Sequence, residues 1–258
     1  MSKKLLKVRK VVLSLLIPVL IIGMWYYTTN FTEISKSIMP PLSKIGKSFL
    51  YACTSGQMWG DLSVSFSRIV KGYLGAVVLG GLLGIAMGMS QIMKELFTLV
   101  TTCIRQIPMM AWVPMIILWC GIGEQSKVVV IIIAAFFPIM VNTYHGIITT
   151  PDTYLELADL YNLSKWEKFW KVYLPHALPS VLVGLKLGIS TSWMAVVGAE
   201  MISASSGIGF RMSDSRSKVR ADMLLSCMLV VGFIGLLMDK GLEFLFGKLT
   251  PWERKEKK

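Results

Sequence analysis

Charge is scarce in this sequence. Only 16% of its 258 residues are Asp, Glu, Lys or Arg, against 54% hydrophobic, too few to clothe a water-soluble domain of this length. Histidine is almost missing. His145 sits at the end of an apolar run and His176 in a proline-flanked turn. Neither has a nucleophile beside it or a metal-type spacing, so no Ser/His/Asp site and no metal centre can be assembled. The four cysteines, Cys53, Cys103, Cys120 and Cys227, show no paired spacing either. Three of them lie in apolar runs and serve as small packing residues. A phosphate-binding loop is also lacking. Gly46-Lys47-Ser48 resembles the end of one, but the motif needs glycine five residues earlier, where Pro41 stands. The expectation is a chain with no catalytic residue, no metal and no cofactor of its own.

What is present in abundance is hydrocarbon, in runs near the roughly 20 residues that cross a bilayer. Six runs are legible, at residues 11–27, 69–89, 97–120, 127–147, 179–202 and 223–246. The fold class expected is an all-α polytopic membrane protein of about six transmembrane helices, a single domain over residues 1–258. The net charge of +12 suggests nucleic acid only superficially, because the cations gather at the ends of the runs, where they anchor and orient helices. Lys3, Lys4, Lys7, Arg9 and Lys10 mark one terminus, and Lys248, Arg254, Lys255, Lys257 and Lys258 the other. An even number of spans puts both basic termini on the cytoplasmic side. The bias is imperfect, since Arg211, Arg216, Lys218 and Arg220 then fall in an outer loop. The first run has no small-residue cleavage site after it and is expected to stay as an anchor.

Inside the runs, glycines and prolines mark close approaches and breaks. Gly80, Gly84 and Gly88 repeat every four residues, as do Gly184 and Gly188, which lets another helix backbone come close. In the third run Pro108 and Pro114 follow Arg105 and flank Trp112, and Pro138 interrupts the fourth. Broken helices are tolerated in a membrane where they line a cavity. Arg105, Lys186 and Glu200 are the ionisable residues picked out inside runs, and each is a candidate by cost alone. Arg105, Pro108, Trp112, Pro114, Trp193 and Glu200 together make the candidate translocation path. Between Met39-Pro40-Pro41 and the second run, residues 42–51 read as an amphipathic helix on the membrane face.

The loop between the fourth and fifth runs is different in kind. It is polar, long and expected to face the cytoplasm, with Lys165, Lys168 and Lys171. Thr150-Pro151-Asp152 reads as a cap, a proline at the first helical position and an acid in the first turn. Tyr154, Leu157, Leu160 and Tyr161 then form an apolar stripe, with Glu156 and Asp159 on another face. Asn162 ends this helix in a left-handed turn. Ser164 and Glu167 form a capping box for a second helix, which sets Trp166, Phe169, Trp170 and Tyr173 on one side. Pro175 is expected to stop it and Pro179 to open the fifth span.

This elbow carries a resemblance. Permease subunits of binding-protein-dependent ATP-binding cassette (ABC) importers bear a cytoplasmic motif: Glu-Ala-Ala, three residues, Gly, nine residues, then Ile, any residue and Leu-Pro. Here the chain reads Glu156-Leu157-Ala158, Asn162 and Val172-Tyr173-Leu174-Pro175, with the spacing kept and three mild departures at Leu157, Asn162 and Val172. The stretches Arg105–Val130, Phe136–Ile147, Leu174–Met201 and Thr250–Glu253 are similar to the branch serving alkanesulfonates, taurine, nitrate, bicarbonate and thiamine-precursor pyrimidines. The resemblance implies a type I importer permease fold in a bacterial inner membrane, with Glu156, Leu157, Ala158, Asn162, Leu174 and Pro175 coupling it to an ATPase. It further implies a homodimer, two separate ATPase subunits that bind the ATP and magnesium, and an extracytoplasmic binding protein. The solute expected is small and anionic or zwitterionic. An ion-coupled secondary transporter and an intramembrane enzyme stand as alternatives. The first would need no elbow, and the second would need a nucleophile–base pair.

Overall fold

A computed structural model describes residues 3–249 of the chain, all of whose regular structure is helical. The helices are α1 (Lys3–Phe31), α2 (Leu42–Thr54), α3 (Gln57–Met89), α4 (Gln91–Arg105), α5 (Met109–Cys120), α6 (Glu124–Ile148), α7 (Asp152–Leu160), α8 (Lys165–Lys168), α9 (Leu174–Ser203), α10 (Ile208–Ser217) and α11 (Ala221–Leu249). The Thr250–Glu253 segment and the basic residues after it lie outside the described residues. Among the described residues five helices are long and apolar enough to cross a membrane, and α4 with α5, bent by 100° at a short break, pass the same test only as a pair. The break falls at Gln106–Pro108, so Pro108 caps α5 while Pro114 lies inside it. Five of the six runs read from sequence thus become long helices, most of them longer than the runs, and the third becomes a sharply bent pair.

The chain groups into two compact units. One runs to Trp59 and takes in Arg211–Val230. In it α2 buries Ile45, Ser48 and Ala52 along one face. The Ser48 hydroxyl donates to the Asp222 carboxylate and Ser226 Oγ donates to the Ile45 carbonyl at 3.2 Å. Asp222 is buried and also pairs with Arg220 at 3.3 Å and Lys44 at 3.7 Å. The stretch expected as a basic loop is therefore a helix, α10, whose neighbourhood supplies acids. Lys218 pairs with Asp214 at 2.8 Å.

Helix α10 ends in a Schellman arrangement: the Arg220 N–H reaches the Ser215 carbonyl at 2.9 Å and the Val219 N–H reaches Arg216 at 3.1 Å. This places Val219 at φ 54°, a left-handed conformation that a β-branched residue resists. Glycine fits it without a clash. Val219→Gly is expected to stabilise the protein by about 1 kcal/mol, the relief of strain exceeding the added unfolded-chain entropy. Reversible unfolding in mixed micelles reads this directly.

The other unit holds Gly60–Phe210 and the chain from Val231. Helix α6 lies at its centre, and glycine sets the spacing on two sides. A Cβ at Gly80 would meet the Phe136 carbonyl at 2.8 Å, and one at Gly84 the Met140 carbonyl at 2.7 Å. On the α9 side, a Cβ at Gly184 would meet Asn142 at 2.7 Å. Both glycine repeats are thus interfaces with the same helix, close enough that any larger residue forces backbones apart. Val113, Ile116, Val130, Ala134, Ala195 and Ala199 form a buried cluster joining α5, α6 and α9.

Two local expectations need correction. Pro151, not Thr150, occupies the N-cap of α7, and the Thr150 hydroxyl is buried without a hydrogen-bond partner. Pro175 does not stop a helix, nor does Pro179 open one. Residues 169–173 make a π turn that leads straight into α9, with Pro175 in its first turn and Pro179 inside it. The wide turn, closed by the Leu174 N–H on the Phe169 carbonyl, sets the register so that the missing proline N–H falls where α9 begins.

Candidate functional site

The elbow is built by local rules that the structure satisfies. Helix α7 ends in a second Schellman arrangement: the Leu163 N–H reaches the Ala158 carbonyl at 3.0 Å and the Asn162 N–H reaches Asp159 at 2.9 Å. Asn162 accordingly has φ 52°. Ser164 then accepts from the Glu167 N–H at 3.3 Å while the Glu167 carboxylate accepts from the Ser164 N–H at 3.1 Å, a complete capping box. Lys168 pairs with Asp159 across the turn, and Lys171 with Glu167 at 3.0 Å. These contacts fix the angle between the two helices.

What the elbow displays is apolar. Leu157, Leu160 and Tyr161 are 51%, 79% and 74% exposed, whereas the small Ala158 is buried beneath them. Tyr154, Leu157, Ala158, Tyr161, Val172 and Pro175 line a concavity of about 420 Å³. Glu156 is exposed. Trp166 and Phe169 stack and Trp170 meets both edge-on, with ring centroids 5.3–6.0 Å apart. The two tryptophans remain more than half exposed, as at a membrane–water boundary. Leu174 is half-buried and Pro175 exposed where the elbow joins α9.

The turn at Asn162 has a clean consequence. Asn162→Gly is expected to leave folding unchanged, because glycine enters the left-handed region freely. Asn162→Val is expected to cost about 1–2 kcal/mol at that residue and to cut the yield of folded protein. Size-exclusion chromatography and reversible unfolding in mixed micelles check both.

The candidate path residues do not form one cluster. Trp193 is packed: its indole N–H donates to the Val231 carbonyl at 3.2 Å and its ring lies 5.6 Å from that of Phe66. Trp112 is half-buried against the cluster of α5, α6 and α9. Glu200 is fully buried in a polar network. Its carboxylate pairs with Arg68 at 2.7 Å and accepts from Ser65 Oγ at 2.8 Å and the Gly209 N–H at 2.9 Å. Arg68, itself 2% exposed, also pairs with Glu124 at 2.5 Å and donates to the Ser206 carbonyl at 2.8 Å. Asp61 accepts from the Gly207 N–H at 3.1 Å. Helices α3, α6 and α9 and the turn after α9 are thus tied at one knot. Lys186 pairs with Asp239 at 3.0 Å. Arg105, Pro108 and Pro114 are exposed. Arg105 lines a cleft of about 170 Å³ with Lys94 and His145.

Sequence reasoning missed Arg68, Ser65, Glu124 and Lys94. The apolar run starts at Ile69, directly after Arg68, and a cation bordering an apolar run is a signal in its own right.

The comparisons agree with this architecture. Residues 76–255 match the family described as binding-protein-dependent transport system inner membrane component. The taurine transport system permease of Escherichia coli is 30% identical over 249 residues, 95% of this chain and 90% of the relative. A putative ABC transporter permease of Methanocaldococcus jannaschii is 31% identical over 251 residues, 95% and 94% of the two chains. The nitrate import permease of Synechocystis is 34% identical over 195 residues, 76% of this chain and 71% of the relative. Among solved structures, a chain of the methionine ABC transporter MetNI in an inward-facing conformation superposes with a TM-score of 0.56 at 17% identity, covering 69% of this chain and 91% of that one. The fold is that of a type I importer permease, and the secondary-transporter and intramembrane-enzyme alternatives fall away. The chain belongs to the binding-protein-dependent transport system inner membrane component family and is a transmembrane permease subunit of an ABC importer, ATP hydrolysis residing in a separate subunit.

Proposed function

We propose that two copies of this chain form the path by which a small oxyanion, a sulfonate or nitrate-like solute, enters the cytoplasm. The observation carrying the substrate class is that relatives matched over 71% or more of their lengths are named for taurine, aliphatic sulfonates and nitrate. All three are small solutes with delocalised negative oxygen. In this reading a binding protein delivers the solute at the outer face and both termini lie in the cytoplasm. ATP and magnesium bind the partner ATPases. The exposed face of α7, with Glu156, Leu157 and Leu160, seats in a groove of each ATPase, and Ala158 keeps the helix close to the π turn. Asn162, Leu174 and Pro175 set its angle to α9. Closure of the ATPase pair on ATP then moves the elbow. Rigid helices convert that motion into alternate opening of the path. Arg105, Pro108, Trp112 and Pro114 belong to the bent α4–α5 pair that flanks the path, while Trp193 and Glu200 hold α9 behind it.

The test is reconstitution of the permease with its ATPase and binding protein in proteoliposomes. ATP-dependent uptake is measured for taurine, ethanesulfonate and nitrate, with a neutral sugar as comparison. Uptake of at least one anion and not of the sugar is expected. Uptake of the sugar alone overturns the substrate class.

A further inference from the structure

Helix α4 carries a cationic stripe whose two cations make no ion pair among the described residues. Lys94, Thr98, Thr101 and Arg105 repeat at four, seven and eleven residues, which places them on one face of an α-helix. The opposite side shows exposed Ile92, Leu96, Leu99 and Val100, a surface suited to lipid. The polar face, with Thr102, opens on the cleft that Tyr144 and His145 of α6 complete. Neither Lys94 nor Arg105 has an ion pair among the described residues, and the nearby acid, Glu95, is taken by the Gln91 amide at 2.7 Å. The hydroxyls of Thr98 and Thr101 are spent on the carbonyls of Lys94 and Phe97. That leaves the two cations, the Thr102 and Tyr144 hydroxyls and the His145 ring as free donors among the described residues of the cleft.

A cation in an apolar helix is costly unless something neutralises it. Elsewhere in this unit Arg68 pairs with Glu200 and Lys186 with Asp239, and the buried Lys127 donates to the Gly123 carbonyl at 2.8 Å. Here two cations about 16 Å apart along the helix border one polar cleft, and no acid among the described residues pairs with either. We infer that the α4–α6 cleft is a binding site for an oxyanion, gripped by Arg105 with Thr102, Tyr144 and His145 as neutral donors of the same cleft, while Lys94 adds positive potential further along it. A guanidinium presents a fork to two oxygens of a sulfonate, nitrate or phosphate, and an ammonium acts at longer range as a point charge. A site with two spaced cations and few fixed contacts attracts an anion without trapping it, which suits passage. The identification of the ligand with the transported solute rests on the oxyanion reading above. An anionic lipid headgroup offers the same chemistry.

The experiment reads the cleft without relying on uptake. In the permease–ATPase complex, with Cys53, Cys103 and Cys120 replaced by serine, Thr98→Cys is labelled in nanodiscs by two methanethiosulfonates. One carries a sulfonate and the other a trimethylammonium group. Rates are normalised to those of a free thiol. The anionic reagent is expected to be favoured about tenfold. That preference should fall to near unity in the Arg105→Gln, Lys94→Gln double variant and persist in Arg105→Lys. A ratio near one in the parent, or one indifferent to the double variant, overturns the site. Occupancy is then tested with millimolar ethanesulfonate in nanodiscs of phosphatidylcholine alone or with phosphatidylglycerol. Protection by ethanesulfonate in both membranes assigns the site to a free solute, and protection by phosphatidylglycerol alone assigns it to a headgroup. Protection by neither overturns the oxyanion site. If none of the panel anions is taken up, the substrate class fails while the labelling ratio stands.

Discussion

Arg68→Met is expected to be about 3–5 kcal/mol less stable than the parent, since removing one partner of a buried pair strands the other charge. The variant leaves Glu200 with no exposed side-chain surface and no cation, facing only Ser65 and the Gly209 N–H. Glu124 loses less, because its side chain is 66% exposed and water replaces the guanidinium. Glu200→Gln is informative beside it. The amide oxygen can still accept from Arg68, but the amide nitrogen then confronts the Gly209 N–H, donor against donor. The double variant Arg68→Met, Glu200→Leu removes both charges at once and is expected to be more stable than Arg68→Met alone, despite carrying one more change. Reversible unfolding of these proteins, with Glu200→Leu alone to close the cycle, measures the coupling in mixed micelles. Additive losses would show that the two residues do not act as a pair.

That knot also shows why part of the site was illegible in the sequence. Glu124 and Glu200 stand 56 and 132 residues from Arg68. A hydropathy window sees only that Arg68 interrupts an apolar run, so the run is cut at Ile69, whereas α3 begins at Gln57. A charge that is neutralised by a distant acid looks, in one dimension, like the edge of the membrane. The same reasoning misread the cations around α10, whose acids Asp214 and Asp222 belong to neighbouring turns.

The elbow was legible for the opposite reason. A left-handed residue, an N-cap and a capping box each depend on partners within five residues, so Asn162, Ser164 and Glu167 could be assigned from spacing and side-chain chemistry. The failures nearby were failures of a local rule taken too far. Proline breaks an α-helix through a missing N–H and a clash one turn back. The π turn at 169–173 changes which carbonyl that N–H would have met, and Pro175 passes without a break. Val219 shows a further limit: nothing in valine's own preferences points to the left-handed region it occupies.

Glu156→Lys is expected to abolish most ATP-dependent uptake, by about tenfold or more, while the permease still inserts and folds. The carboxylate is exposed and takes part in no ion pair among the described residues, so its replacement removes nothing that holds the chain together. Asp159, three residues on, is the opposite case, since it anchors Lys168 and its loss would disturb the elbow itself. In the proposed reading Glu156 lies against the ATPase beside Leu157 and Leu160, whose exposed side chains supply the apolar contact. Charge reversal at such a rim sets like against like where the parent had complementarity, which costs several kcal/mol and slows association. Glu156→Gln removes the attraction without adding repulsion and should fall between the two. The measurements are ATPase co-purification with the tagged permease and uptake per assembled complex. Loss of co-purification places Glu156 in the affinity of the two subunits. Retained co-purification with hydrolysis but no uptake places it in transmission of the closing motion. Full uptake by the lysine variant would remove Glu156 from the coupling surface and leave the apolar face of α7 to carry the contact alone.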